Sequence, residues 1–536
     1  MVSGLTRRRL LVSVAAAALT PAIANFSVAQ DARQEPKRGG TLTVHMPQEQ
    51  RLLNPALRAS IGVYIIAAKM MEPLIDLKAN GEFDPMLATS WQGSPDGKTI
   101  TVKLREGVKW HDGKPFTSAD VQYTAMELWK KLQNFGSTLH AALEAVDTPD
   151  AHTAVFRYTK PMPLDLFVGA MPDLGYIAPK HVFEGSNPLE NPANTAPIGT
   201  GPFKFVQYER GQYVVVERNP DYWRKGLPYL DKIIWRFISD KSAATAAIEA
   251  GQVQMSNYSA LPLADMARLA KDPRFEVSTR GNERQPFQNT IEFNLRRKEL
   301  ADVRVRRAIL HAVNIEFFIE NFLYGNGKRA HGPIPATSPF FIPGAPNYPY
   351  DVKGANALLD EAGFAKGADG TRFTLKMASP PFGEDVPLWS TYIQQSLQQI
   401  GIKVEIVKPD MAGFITQVFR DWTFDLATDW HIYRADPAIS TMAWYRGGAP
   451  KGVAWTNQWG WENAKADQLI DAAAVEMDPA KRKAMYGEVV NILNTDAPIW
   501  MAIDREFISV TSKRLKNHHN NPRWPASHWA DVWLEN

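Results

Sequence analysis

The sequence predicts an α/β protein built from more than one structural unit. Three observations carry this. At 536 residues the chain is longer than one hydrophobic core ordinarily grows. Its content of 45% hydrophobic and 22% charged residues is that of a folded globular protein and argues against disorder over most of its length. Helical and strand-like patterns alternate through the second half, the order that layers helices against a sheet.

The elements follow from the N-terminus. Arg7, Arg8 and Arg9 precede the apolar stretch 10–19, and small residues then offer a cleavage site at Ala24 or Ala29. A basic head, a short apolar run and a small-residue exit describe a secretory signal peptide over residues 1–29. The run is shorter than the 20 or so apolar residues of a membrane span. The arginines before Leu10-Leu11 suggest the twin-arginine route, with ordinary secretion as the alternative. No comparably long apolar run follows.

Thr41 to Val44 alternates as a strand. Asn80-Gly81 marks a hairpin turn within 74–87. Pro95-Asp96-Gly97 marks a second turn, before the alternating strand Thr99 to Leu104. Thr117 opens a helix whose Val121, Ala125, Leu128 and Leu132 share one face. Gly199-Thr200-Gly201-Pro202 breaks the chain before a strand at 213–217. Asp302 caps a helix through Val303 and Ile309. Residues 355–362 read as a helix closed by a left-handed Gly363. Trp389, Ile393, Leu397 and Ile400 line one face of a further helix. Gly401 ends it, and the strand 402–406 follows.

Composition and motif searches narrow the function. Removing the first 30 residues, which hold three arginines and no acid, leaves a net charge of zero. Nothing in that balance points to nucleic acid or to an anionic membrane. The absence of cysteine excludes disulfides, thiolate metal sites, a cysteine nucleophile and lipid attachment through an N-terminal cysteine. Neither a Gly-x-Ser-x-Gly elbow nor a His-Glu-x-x-His zinc motif is present. Gly93 to Thr99 is one residue short of a phosphate loop and reads as a turn. His518-His519, the one adjacent histidine pair, is expected in a solvated polar tail, with a metal site as the lesser alternative, and neither a metal nor a cofactor is expected overall.

Several segments together resemble the family 5 extracellular solute-binding proteins, the dipeptide, oligopeptide and nickel binders of ABC importers. They are Glu72-Pro73-Leu74, 97–105, the run Gly107 to Val121, 199–203, Arg218 to Trp223, Phe293-Asn294 with Val303, Arg304, Arg306 and Ala308, and 362–364. The run 107–121, with Trp110-His111-Asp112-Gly113, is the most specific. Most of these residues read as core or backbone turns, so the pattern speaks for fold before ligand.

The resemblance implies a two-lobed periplasmic binding protein, a clam-shell with an extra subdomain in lobe I. Lobe I is expected at residues 38–75, 195–285 and 500–536, the extra subdomain at 76–194, and lobe II at 286–499. The resemblance also implies a freely soluble periplasmic monomer that closes about its hinge on a small-molecule or peptide ligand and delivers it to an inner-membrane ABC permease. No chemical step is expected. Nickel chelates, opine-like conjugates and oligosaccharides are alternative ligands on the same fold. A periplasmic hydrolase using an unrecognised carboxylate pair and a chaperone or sensory protein are alternative roles.

In the peptide-binding relatives one loop carries Trp, then an acid three residues on, then Asp-Pro. Here Trp430 and Asp436-Pro437 fit, but Tyr433 replaces the acid that would pair with a ligand ammonium. Arg434 beside it could receive a ligand carboxylate or phosphate. Trp430, Tyr433, Arg434, Asp436, Trp444 and Tyr445 are therefore candidate cleft residues from lobe II. Tyr64 is the candidate from lobe I, with Gln288 and Asn294 near the hinge. Asp436 has the alternative of capping the next helix.

Overall fold

The computed structural model describes residues 35–281, 286–434, 436–439, 441–449 and 451–535. The expected signal at 1–29 lies outside them. Two seven-stranded sheets organise the body, as in two-lobed binding proteins. The first runs in the order Phe275–Ser278, Ser509–Ser512, Met255–Ser256, Thr41–Met46, Lys232–Phe237, Tyr213–Arg218, Phe203–Glu209. Thr41–Met46 is central and parallel to both neighbours. The second runs Gly327–Arg329, Ile499–Arg505, Phe287–Phe293, Leu426–Ala427, Phe373–Ala378, Ile402–Val407, and Trp430–Ile432 also pairs with Phe287–Phe293.

The chain thus passes from the first sheet to the second between Ser278 and Phe287, and returns between Arg505 and Ser509. Residues 500–505, expected in lobe I, pair instead with Phe287–Phe293 of the second sheet. The apolar run Ile499 to Ile503 is buried on both faces there, so it carries no alternation that would mark its sheet.

A four-stranded antiparallel sheet, ordered Ala88–Gly93, Thr99–Leu104, Thr153–Tyr158, Leu143–Asp150, lies in the stretch of chain between Thr41–Met46 and Phe203–Glu209 of the first sheet. Local chemistry explains its flanks. Gly81 takes φ 82° in the turn of the hairpin Ile75–Leu77 with Phe83–Pro85. The Thr117 N–H donates to the Asp120 carboxylate at 2.9 Å, half of a capping box that starts the helix Ser118–Tyr123. Trp110, Phe116, Val121, Ala125 and Leu128 pack into one core behind it.

The motif segments converge on one buried carboxylate, Glu72. Thr200 Oγ1 donates to it at 2.8 Å, the Tyr222 hydroxyl at 2.7 Å and Trp223 Nε1 at 2.9 Å. Burial pushes the Glu72 pKa up, and these three donors oppose that shift. A Cβ on Gly199 would lie 1.8 Å from the Met70 carbonyl oxygen, so only glycine fits that approach. His111 completes the knot: its Nδ1 accepts from the Gly199 N–H at 3.1 Å and its Nε2 donates to the Gly201 carbonyl at 3.0 Å. Burial holds its pKa down to about 4, which keeps the ring neutral. The shared motif is therefore scaffold.

His518-His519 corrects an expectation. His518 is buried, both rings pack on Trp524, and His519 Nε2 lies 2.8 Å from Glu276. The polar run 517–521 is tied down by that tryptophan together with Asp531, which accepts from Asn517 and Asn520, and Asp76, which accepts from Asn521.

Asp504 carries a pH dependence. It sits on the strand Ile499–Arg505 and accepts from Gln288 Nε2 at 2.6 Å. Burial pushes its pKa up to about 7, partly opposed by that hydrogen bond. The folded state thus holds a proton that the unfolded chain releases near pH 4. The contribution is complete below about pH 4 and is lost as pH rises toward 7. Asp504→Asn should remove the dependence. Relative to the variant, the native protein should lose about 2–4 kcal/mol between pH 4 and 8, allowing for partial solvent contact. Urea midpoints of both proteins across that range measure it, and parallel profiles would refute it.

Candidate ligand site between the two sheets

A cavity of about 650 Å³ opens where the carboxyl ends of the parallel strands meet the second sheet. Ligands of open α/β sheets commonly bind outside such strand ends. The first lobe supplies the ends of its strands and the segments that leave them: His45 to Gln48 at the end of Thr41–Met46, Ser239 and Lys241 after Lys232–Phe237, and Asn257 to Ala260 after Met255–Ser256. The second lobe supplies Pro381, Gly383, Glu384, Asp385 and Trp430. Arg505 and Phe507 come from the return crossing.

Trp430 forms the apolar wall. Its ring stacks on Phe382 with centroids 5.7 Å apart at 13°, and meets Phe287 and Phe507 edge-on at 5.8 and 5.7 Å. Gly383, at φ 56°, allows this: a Cβ there would lie 2.6 Å from the Trp430 ring. The indole Nε1 donates to Asp385 at 3.0 Å. Asp385 also accepts from Asn289 Nδ2 at 3.0 Å and pairs with Arg505, both side chains being buried. The Arg505 Nε has no hydrogen-bond partner among the described residues.

The facing wall is strained. Tyr258 and Ser259 stand consecutively at φ 55° and 51°, in the left-handed region that non-glycine residues seldom adopt. The Ser259 hydroxyl and N–H hold the turn against the Ile508 backbone at 2.9 and 2.8 Å. Asn257, 4% exposed, lines the cavity with neither amide atom partnered among the described residues. An amide that donates and accepts, left unpaired under the cavity wall, suits a polar group of a ligand. Lys241 and Glu384 approach to 3.6 Å at the rim, one from each lobe.

Of the nine candidates read from sequence, Trp430 lines this cavity and the other eight do not. Tyr433 is buried with its hydroxyl 2.6 Å from Ser338 Oγ inside the second lobe. Trp444 packs edge-on against His431 at 4.5 Å, and the Tyr445 ring lies tilted 5.7 Å from that of Trp459, in the same interior. Asp436 accepts from the Ala438 N–H at 2.9 Å and forms a two-pronged ion pair with the wholly buried Arg482 at 2.5 and 2.6 Å. Gln288 donates to Gly332 O and Asp504. Asn294 donates to the Trp422 and Phe424 carbonyls at 3.1 and 2.8 Å, closing a loop. Tyr64 stacks on Tyr176 and donates to the Asp173 carbonyl. Arg434 reaches from the second lobe toward Tyr64, its guanidinium 3.8 Å over the Phe135 ring and 3.4 Å from the Ala59 carbonyl. The last two residues are thus brought together as an inter-lobe contact.

Asn257, Tyr258, Phe382, Asp385, Arg505 and Phe507 were missed by the sequence reading. The signal available for Asn257, Tyr258, Phe382 and Phe507 was their place just beyond strand ends, while Arg505 closes a strand and Asp385 opens the helix Asp385–Gln398.

A family model for the bacterial extracellular solute-binding proteins, family 5 (middle), matches residues 82–453, more than two thirds of the chain. The chain belongs to this family. This solute-binding protein is 31% identical over 448 residues, 80% of each chain, to a Brucella ovis protein provisionally named an ABC transporter peptide-binding protein. It is 27% identical over 457 residues, 82% of it and 83% of its relative, to the glutathione-binding protein of Pectobacterium atrosepticum. The Bacillus subtilis oligopeptide-binding protein AppA, solved with a nonapeptide, superposes with a TM-score of 0.77 at 24% identity, covering 94% of this chain and 100% of the other, and so shares the fold. No helix among the described residues is long and apolar enough to cross a membrane.

Proposed function

We propose that this solute-binding protein captures a short peptide or peptide-like conjugate in the periplasm and delivers it to an inner-membrane ABC permease, exported there by a cleaved signal at 1–29. The observation that carries the reading is the cavity itself. Both lobes line it, it has an aromatic wall and an amide with no partner among the described residues, and its size suits a small solute. The names of its relatives, peptide and glutathione binders, support the ligand class.

The charges refine it. The two acids of the wall, Asp385 and Glu384, already have cationic partners in Arg505 and Lys241. Tyr433, at the place where peptide-binding relatives carry an acid, points away to Ser338. Such a site favours a solute whose amino group is blocked or held by neutral acceptors. Ligand bridging both lobes stabilises the closed arrangement by its differential affinity for it, and the permease reads closure. The protein acts as a monomer without cofactor or nucleic acid.

The test is to purify the mature protein from its native host, denature it, and identify what is released by mass spectrometry. A stoichiometric peptide or amino-acid conjugate is expected, and adding it back should raise the melting temperature. A sugar or a metal chelate would overturn the ligand class and keep the transport role. Turnover of the bound molecule would overturn the role.

A further inference from the structure

We propose that Glu276, His518 and His519 form a divalent transition-metal site on the first lobe, separate from the ligand cavity. None of the three lines that cavity.

The site is built by an edge strand and a returning tail. Phe275–Ser278 is the outer strand of the first sheet and pairs in register with Ser509–Ser512, Glu276 opposite Thr511. Phe275 points into the core, so Glu276 is on the other face by strand alternation. After the short strand Leu515–Lys516, Asn517 takes φ 62°, and the chain brings both histidines back over that face. His519 Nε2 lies 2.8 Å from Glu276 Oε1 and His518 Nε2 lies 3.6 Å from Oε2, so each carboxylate oxygen faces one imidazole. The ring centroids are 4.0 Å apart. One donor atom from each of the three residues lies within 4.8 Å of the other two.

The donor set and its support are those of a metal centre. With bonds of about 2.0–2.2 Å to nitrogen and oxygen, neighbouring ligands of a tetrahedral ion stand about 3.4 Å apart. The two measured separations bracket that value. Two imidazoles and one carboxylate suit zinc, nickel or copper, and leave a fourth position for water. Glu276 is 39% exposed, His519 17% and His518 5%, which gives an entry path on one side and a fixed wall on the other. Trp524 meets both rings edge-on at 4.9 and 5.2 Å, and its own Nε1 is anchored to the Arg280 carbonyl at 2.9 Å. That indole fixes both imidazole planes before any ion arrives. With no cysteine in the chain, no thiolate competes for the ion. A bound ion would clamp the C-terminal segment onto the sheet edge.

The experiment uses the full mature protein, free of any affinity tag and stripped with a chelator. Zinc chloride is titrated calorimetrically, and cobalt is followed by its visible absorption. One zinc per chain is expected, with a melting temperature raised by zinc. Glu276→Gln and His519→Asn, checked for folding by circular dichroism without metal, should each weaken zinc binding by at least about tenfold and abolish the zinc-induced rise. Four-coordinate cobalt bands should appear in the native protein and not in the variants. Failure to take up stoichiometric zinc at about 100 μM (a free energy of about 5.5 kcal/mol) would overturn the proposal. So would uptake unchanged in both variants, which would place the ion elsewhere, such as at the buried trio Glu292, Asp429 and His431.

Discussion

Replacing Trp430 with alanine is expected to weaken solute binding by about 30- to 100-fold, or about 2–3 kcal/mol. The indole contributes in three ways. It is the largest aromatic side chain lining the cavity, so its loss removes contact area from a bound solute. It is held by Phe382, Phe287 and Phe507, so it is pre-organised and costs little entropy on binding. Its Nε1 also holds Asp385, which in turn pairs with Arg505. Trp430→Phe separates the last effect from the first two. It keeps a ring against Phe382 and leaves one acceptor position of Asp385 empty. Calorimetry with the solute released from the native protein measures both variants. An unchanged Kd for the alanine variant would remove Trp430 from the binding surface.

Asp436→Ala is expected to have the largest effect on stability, a loss of about 3–5 kcal/mol. The Arg482 side chain is wholly buried, and Asp436 gives it two parallel hydrogen bonds. The remaining partners are the Ala473 carbonyl at 2.9 Å, the Tyr486 hydroxyl at 3.4 Å and the half-exposed Asp165 at 3.4 Å. None replaces the lost charge at close range, so the guanidinium would be left buried and uncompensated. The double variant Asp436→Leu with Arg482→Met should recover much of the loss, because both charges go together. Urea midpoints of the three proteins test this. A loss below about 1 kcal/mol in the single variant would show that Asp165 suffices, in the range of an exposed pair.

The scaffold was legible because its signals are local. Asn80-Gly81 makes a hairpin, Thr117 and Asp120 start a helix, and Gly363 and Gly401 end two others at φ 85° and 80°. Each is a matter of one or two residues whose backbone or side chain has few alternatives. The cavity was less legible because its walls are set by long-range pairing. Asn257 follows a strand of only two residues, Met255–Ser256, too short to show alternation. Arg505 ends a strand buried along nearly its whole length. The sequence offers six candidate cleft residues between Trp430 and Tyr445, and only Trp430 lines the cavity. In the folded chain Trp430–Ile432 is a strand, so Trp430 faces the cavity while His431 turns to Glu292 behind it. The helix Thr441–Tyr445 then carries Trp444 and Tyr445 into the interior.

The contact of Arg434 with Ala59 and Phe135 has a consequence for how such a protein can diversify. Within one loop, Trp430 addresses the solute, Arg434 addresses the opposite lobe, and Asp436 addresses its own interior. Changes at Arg434 would then retune how readily the two halves part, with the choice of cargo unaltered. Changes around Asn257 or Phe382 would do the reverse. Appetite and grip are written in different residues, so a lineage can acquire a new nutrient without relearning how to shut.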